Sequence, residues 1–307
     1  MTDLAGALGP VGAWGHLDTL PAADLRPYVR RIADLGYGAL WVPETVGREP
    51  FALLGAVSEH AGDMWLGTSI ASIWARDAMA SRMAALTLHE LTGGRFVLGL
   101  GVSHPHLAQK LRGHTYDKPL TRMREYLADY RRLPFRGPTL MGSEGVATEP
   151  AILLAALRER MLDLAAREAA GAFPYLVTAE RVAWIRSTLD AAAGDDKRPL
   201  LAVTLPVVLG QEPEVARAAA RGYLAPYLRT PNYQASWALQ GFGPDDWTQP
   251  GSDVLVDAMV AWGSAEELLA RIAAMHAAGA GHVALIPVAP DGTTEQLDTL
   301  EALAGQA

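Results

Sequence analysis

The stretch Gly99-Leu100-Gly101-Val102-Ser103-His104-Pro105-His106 gathers several groups that can do chemistry. A Gly-x-Gly step suits a turn around a phosphate. His104 can move a proton near neutral pH without a large pKa shift. His104 and His106 also have the spacing of a metal-ligand pair. As a dinucleotide loop the stretch is weak. His104 holds the third glycine position, Pro105 follows, and a fourth strand rather than a first precedes it. As a metal site it is incomplete. His16-Leu17-Asp18 after the first strand is the other candidate fragment, but no spacing supplies further ligands, and no metal is expected.

Composition removes other chemistries. The chain has no cysteine, so disulfides, thiolate catalysis, zinc–thiolate sites and iron–sulfur clusters are excluded. Lysine occurs only at Lys110, Lys118 and Lys197, which leaves few Schiff-base candidates. The formal net charge is −8 and there is no basic run, so nucleic acid and anionic membranes are poor partners. No apolar run approaches the ~18 residues of a membrane span. The N-terminal stretch lacks the basic and apolar regions of a signal peptide, so a cytoplasmic protein is expected.

These residues need a scaffold, and the pattern supplies one. Strand-like runs lie at Val11–Trp14, Ala39–Val42, Trp65–Ile73, Phe96–Gly101, Ala151–Ala155, Ala172–Val177, Leu201–Leu209 and His282–Val288. Helical periodicity fills most gaps, as at Ala22–Leu35, Ala78–Thr92, Arg158–Ala170 and Ala265–Ala278, the last with Gly279 as a stop. Eight strands alternating with helices predict a parallel sheet with right-handed crossovers. A single (β/α)8 TIM barrel over residues 1–307 fits the count; a doubly wound open sheet is the alternative. Segments 105–137 and 229–257 exceed what a barrel needs and are expected at its C-terminal face, where active sites are built.

The block "LGTSIASIWARDAMASRMAALTLHELTGGRFVLGLGVSHP", Leu66–Pro105, resembles the luciferase-like flavin and deazaflavin oxidoreductases. "ALWVPE" at Ala39–Glu44, "GHTYDKPLTRMREYL" at Gly113–Leu127, "FPYLVTAERV" at Phe173–Val182 and "YLRTPNY" at Tyr227–Tyr233 extend the likeness to nearly the whole chain. The last resembles an insertion of the coenzyme F420-dependent subgroup. The resemblance implies a barrel with the cofactor ring at the strand C-termini, and hydride transfer to or from a small organic substrate. Coenzyme F420, a deazaflavin, is the cofactor it implies first. FMN-dependent monooxygenation is the alternative, and a cofactor-free enzyme or binding protein a third. Barrels of this kind often pair, so a homodimer is an expectation.

Carried over residue by residue, the resemblance implies a non-proline cis peptide between Ser69 and Ile70, in a bulge that backs the ring. Gly101, Val102, Ser103 and Thr178 are implied cofactor contacts. His104 falls where some relatives have a catalytic glutamate; it either does acid–base work or only hydrogen-bonds the cofactor or a loop. Glu44 is a second carboxylate or cofactor contact, or a helix N-terminal acid. Trp41 is either a wall for the ring or core packing, while Trp14, His16 and Trp74 are expected in a substrate pocket. Arg158 stands where the family has a glycine beside the cofactor phosphate. Its guanidinium either binds that phosphate or fills its site. Ala170 and Phe173 replace an acid and a histidine common in the subgroup.

Overall fold

The computed structural model describes residues 3–142, 147–194, 197–210, 212–289, 291 and 293–305. Ten parallel strands run in chain order: β1 (Val11–Trp14), β2 (Ala39–Val42), β3 (Trp65–Thr68), β4 (Ala71–Ser72), β5 (Phe96–Gly101), β6 (Ala151–Leu154), β7 (Gly171–Ala172), β8 (Leu200–Leu209), β9 (Ala261–Gly263) and β10 (His282–Pro287). β10 pairs with both β1, Val283 opposite Val11, and β8, His282 opposite Ala202. That double pairing closes the sheet into the expected eight-position barrel and excludes the open sheet.

Two expected strands are broken or cut short, one strand is new, and the other boundaries agree to within a residue. The run Trp65–Ile73 is interrupted between β3 and β4, at the cis Ser69–Ile70 peptide the resemblance implied, so the two pieces share one barrel position. Of the run Ala172–Val177 only Ala172 is strand, paired together with Gly171 before it. Pro174 has no N–H for a ladder, and Leu176 turns to φ 55°. β9 was not anticipated; it lies outside the barrel circuit, paired with the end of β8.

Helices form where caps and apolar stripes agree. Asp77 accepts the Ala80 N–H at 2.7 Å to start helix Ala78–Leu91. Thr178 accepts the Arg181 N–H at 3.2 Å to start helix Ala179–Ala193. Ser264 and Glu267 form a reciprocal capping box for helix Ala265–Ala277. The two long segments are built differently: helix Pro119–Arg132 of the first packs between helices Ala78–Leu91 and Glu159–Glu168 in the outer ring, while the residues before it line the cavity at the strand C-termini. The first contains a π-helical turn, His106–Leu111, and helix Pro119–Arg132; the second contains helices Pro231–Ala238, Pro244–Trp247 and Asp253–Met259. Among the described residues no helix is long and apolar enough to cross a membrane.

An aromatic column fills the barrel interior. The Trp41 indole, fully buried, occupies the space where a Cβ on Gly67 would stand, so β3 needs glycine there. Its ring meets Phe173 edge-on at 4.8 Å. Trp41 Nε1–H donates to His282 Nε2 at 2.9 Å. The indole can only donate, so the His282 proton sits on Nδ1, which donates to the Gly9 carbonyl at 2.8 Å. Burial pushes the His282 pKa down to about 4.

That depression sets a pH dependence. The unfolded state takes up the His282 proton near pH 6.5 and the folded state only near 4, so stability falls as pH drops through this window, by up to ~3 kcal/mol. His282→Ala is expected to cost about 3 kcal/mol at pH 7, by cavity formation and a stranded indole N–H. It is also expected to flatten stability between pH 6.5 and 4 relative to the native chain. Urea midpoints across pH measure both; identical acid limbs in the two proteins would refute the assignment.

Candidate active site at the strand C-termini

The barrel column ends at Phe173, which lines a cavity of about 1110 Å³ at the C-terminal ends of β4 to β7. Ile70, Val102, His104, Tyr116 and Tyr233 line it too. This exceeds the ~300–1,000 Å³ of ordinary small-ligand pockets, which leaves room for a ring system and a second molecule.

The end of β5 is built to open toward this space. A side chain on Gly101 would meet Ile70, so glycine lets the bulge after β3 approach β5. Ser103 takes φ 53°, a left-handed turn that non-glycine residues rarely adopt. Its carbonyl accepts the Tyr116 hydroxyl at 3.2 Å. His104 follows, its ring 5.9 Å from and parallel to His106, and 5.3 Å from Tyr233. His104 Nδ1 is buried and has no hydrogen-bond partner. Burial, then repulsion from His106, lowers its pKa to about 4. The imidazole is therefore uncharged at neutral pH, with a ring nitrogen free for a ligand.

Several other residues singled out by sequence hold the wall rather than line the cavity. Trp41 is sealed in the core behind Phe173. Trp14 Nε1–H donates to the Ser69 carbonyl at 3.1 Å, and His16 packs edge-on against Trp14 at 5.0 Å. Burial lowers the His16 pKa against the opposing pull of Asp18 and Glu295. Trp74 Nε1–H donates to the Val102 carbonyl at 2.8 Å, and its ring stands 5.8 Å from that of Tyr116. Glu44 is occupied on both oxygens. Arg76 donates to Oε1 at 2.7 Å and Oε2 at 2.8 Å, and the Ser72 N–H donates to Oε2 at 2.7 Å. The Glu44 N–H donates to the Ile70 carbonyl at 3.2 Å. Its carboxylate therefore anchors β4 and is not free for acid–base work.

A second cavity of about 1080 Å³ adjoins the first, and Arg158 and Glu159 line both. Arg158 is the N-cap of helix Glu159–Glu168, and its guanidinium donates to Asn232 Oδ1 on helix Pro231–Ala238. Thr178 lines the second cavity while its hydroxyl caps the next helix. Sequence reasoning missed Arg181 and Arg271. Arg181 is only 7% exposed; it stacks 3.7 Å over Trp184 and donates to the Leu157 carbonyl at 2.8 Å. Arg271 donates to the Ala258 carbonyl. Both Nε groups are buried without partners, and burial lowers both pKa values. Among the described residues neither pairs with a carboxylate. The only sequence signal was Thr178, a cap that fixes Arg181 three residues on.

A closed barrel with a large cavity at its strand C-termini and arginines along that cavity is the architecture in which proteins of this fold build their sites. The sequence pattern of luciferase-like monooxygenases matches residues 6–282, and the chain belongs to that family. A Mycobacterium tuberculosis protein named as a coenzyme F420-dependent oxidoreductase is 36% identical over 123 residues, 40% of this chain and 35% of that one. The chain spans between about a third and a half of the first curated relatives it matches. The coenzyme F420 dependent tetrahydromethanopterin reductase from Methanopyrus kandleri superposes with a TM-score of 0.73 at 14% identity, over 97% of this chain and 99% of that one. A type II Baeyer–Villiger monooxygenase from Pseudomonas putida, in complex with FMN, gives 0.69 at 16% identity, over 97% of both chains. At these identities the two structures share the fold.

The role of Glu44 as an anchor is testable. Glu44→Ala removes the buried partner of Arg76, which is only 13% exposed and keeps Glu49, and strands the Ser72 N–H. A loss of about 2–3 kcal/mol is expected in urea unfolding. A loss under 1 kcal/mol would return Glu44 to the list of free carboxylates.

Proposed function

We propose that the chain is an oxidoreductase that binds coenzyme F420 and moves hydride to or from a small organic substrate. The carrying observation is the seam of Arg158, Arg181 and Arg271. Two of these arginines have buried, unpartnered N–H groups at the edge of a cavity large enough for a tricyclic ring. Leaving such donors unpaired is costly, and an anionic ligand satisfies them. The N-terminal ends of helices Glu159–Glu168 and Ala179–Ala193 lie at the same cavity and favour negative charge. The residues therefore fit a cofactor with a phosphate beside its ring. The mycobacterial relative supports the deazaflavin over FMN.

When bound, the deazaflavin supplies the hydride chemistry. The protein supplies the rest. Arg158, Arg181 and Arg271 would hold the phosphate and its side arm. Ile70, Val102 and Ser103 would form a wall for the ring, with Gly101 behind them letting Ile70 in. Phe173 closes the floor and keeps water from below. His104 handles the proton. Uncharged at neutral pH, it accepts one from a substrate hydroxyl during oxidation and returns it in the reverse direction.

Titration of the purified chain with oxidised coenzyme F420, followed by deazaflavin fluorescence, is expected to show saturable binding below tens of micromolar. Arg181→Met is expected to weaken it about tenfold or more. Arg158→Gly separates two roles for that residue: weaker binding means it contacts the phosphate, tighter binding means it obstructs it. No fluorescence change with the native chain sinks the proposal, and oxygen consumption with reduced FMN and substrate moves it to a monooxygenase.

The histidine makes a separate prediction. With its pKa near 4, kcat/KM for alcohol oxidation is expected to stay level through pH 6 and to fall only toward pH 4. An acid limb centred near 6.5, or one unchanged in His104→Gln, excludes His104 as the proton acceptor.

A further inference from the structure

The rim of the large cavity is cationic in a chain that is not. The sequence holds 34 acidic against 26 basic residues. The permanently charged residues lining this cavity are Lys110, Arg158, Arg160 and Arg229, against one carboxylate, Glu159. They arrive on separate elements. Lys110 lies on the π-helical turn, Arg160 on helix Glu159–Glu168, and Arg229 on the turn Tyr227–Arg229.

Their partners leave their charge in place. Many arginines elsewhere meet carboxylates, as Arg76 meets Glu44, Arg186 meets Asp190 and Arg217 meets Asp257, although Arg48, Arg95, Arg181 and Arg271 bind main-chain carbonyls. At the cavity, Arg229 donates to Gln249 Oε1 at 2.7 Å and Arg158 to Asn232 Oδ1. A neutral amide oxygen orients a guanidinium and leaves its charge uncompensated. Among the described residues, none of the four cations pairs with a carboxylate. Below the rim the walls are apolar and aromatic: Val102, Leu157, Met161, Phe173 and Tyr233.

We infer that the molecule entering this cavity beside the cofactor has an apolar or aromatic body and a terminal anion, carboxylate or phosphate, held by Lys110, Arg160 and Arg229. The inference rests on the reading above for calling that molecule the substrate. It leaves Arg158 to the cofactor and His104 to the reacting end. Charge-assisted hydrogen bonds from three sides fix the anion, and the body is buried by its apolar area.

The test uses the 307-residue chain, with and without coenzyme F420. Its probes are 2-naphthoate, 2-naphthyl phosphate and the uncharged 2-naphthamide, with binding measured by calorimetry. At least one anionic probe is expected to bind about tenfold or more tighter than the amide. The better of the two identifies the anion. The double substitution Lys110→Ala, Arg229→Ala is expected to erase that preference while leaving amide binding intact; Arg229→Lys is expected to retain part of it. Both positions are exposed, so folding is not at stake. Equal affinity for all three probes, or a preference that survives the double substitution, overturns the inference. The deazaflavin titration is independent: a chain that binds the cofactor but shows no anion preference refutes this inference alone, and one that prefers the anions but binds no deazaflavin refutes the earlier reading alone.

Discussion

The hydrogen bond between the Trp41 indole and His282 fixes what the barrel can do with its interior. It ties the middle of β2 to the start of β10 across the axis, and it stands on the Gly9 carbonyl below. Above it the indole props Phe173. Packed core lies beneath that phenyl ring, and the cavity begins above it. A TIM barrel is ordinarily a packed core with its chemistry on top. Here the boundary between the two is one aromatic contact.

The site above that boundary has a frame made of side chains that bind backbone. Trp14 takes the Ser69 carbonyl, Trp74 takes the Val102 carbonyl, Tyr116 takes the Ser103 carbonyl, and Glu44 takes the Ser72 amide. Each fixes a piece of main chain at the end of β3, β4 or β5. The main chain behind the cavity wall is thus positioned by large side chains. Such a wall is rigid without depending on the rotamers of the residues that face the ligand.

The fold was readable because it depends on local pattern. Apolar runs of strand length, helical stripes and capping residues gave every barrel position, and the family block located the bulge at Ser69–Ile70. The pattern failed at Phe173–Val177, where apolar composition suggested a strand that Pro174 and the turn at Leu176 forbid. The site was harder because its roles depend on partners far away in sequence. Glu44 looked available until Arg76, thirty-two residues on, took both its oxygens. Trp41 sat in an apolar run that fitted core or wall equally well; the glycine opposite, at 67, decided for core. Arg181 was signalled only by the cap at Thr178 and Arg271 by nothing, since a buried arginine without a carboxylate is defined by what does not surround it.

Gly67 has an evolutionary consequence. Any side chain there strikes the Trp41 ring, and any smaller residue at 41 leaves a hole beneath Phe173 and strands the His282 nitrogen. No single replacement at either position is neutral. Positions 41, 67 and 282 can drift only as a set, through intermediates that carry either a clash or a void. The loops of this barrel are free to diversify above a floor that is locked against stepwise change.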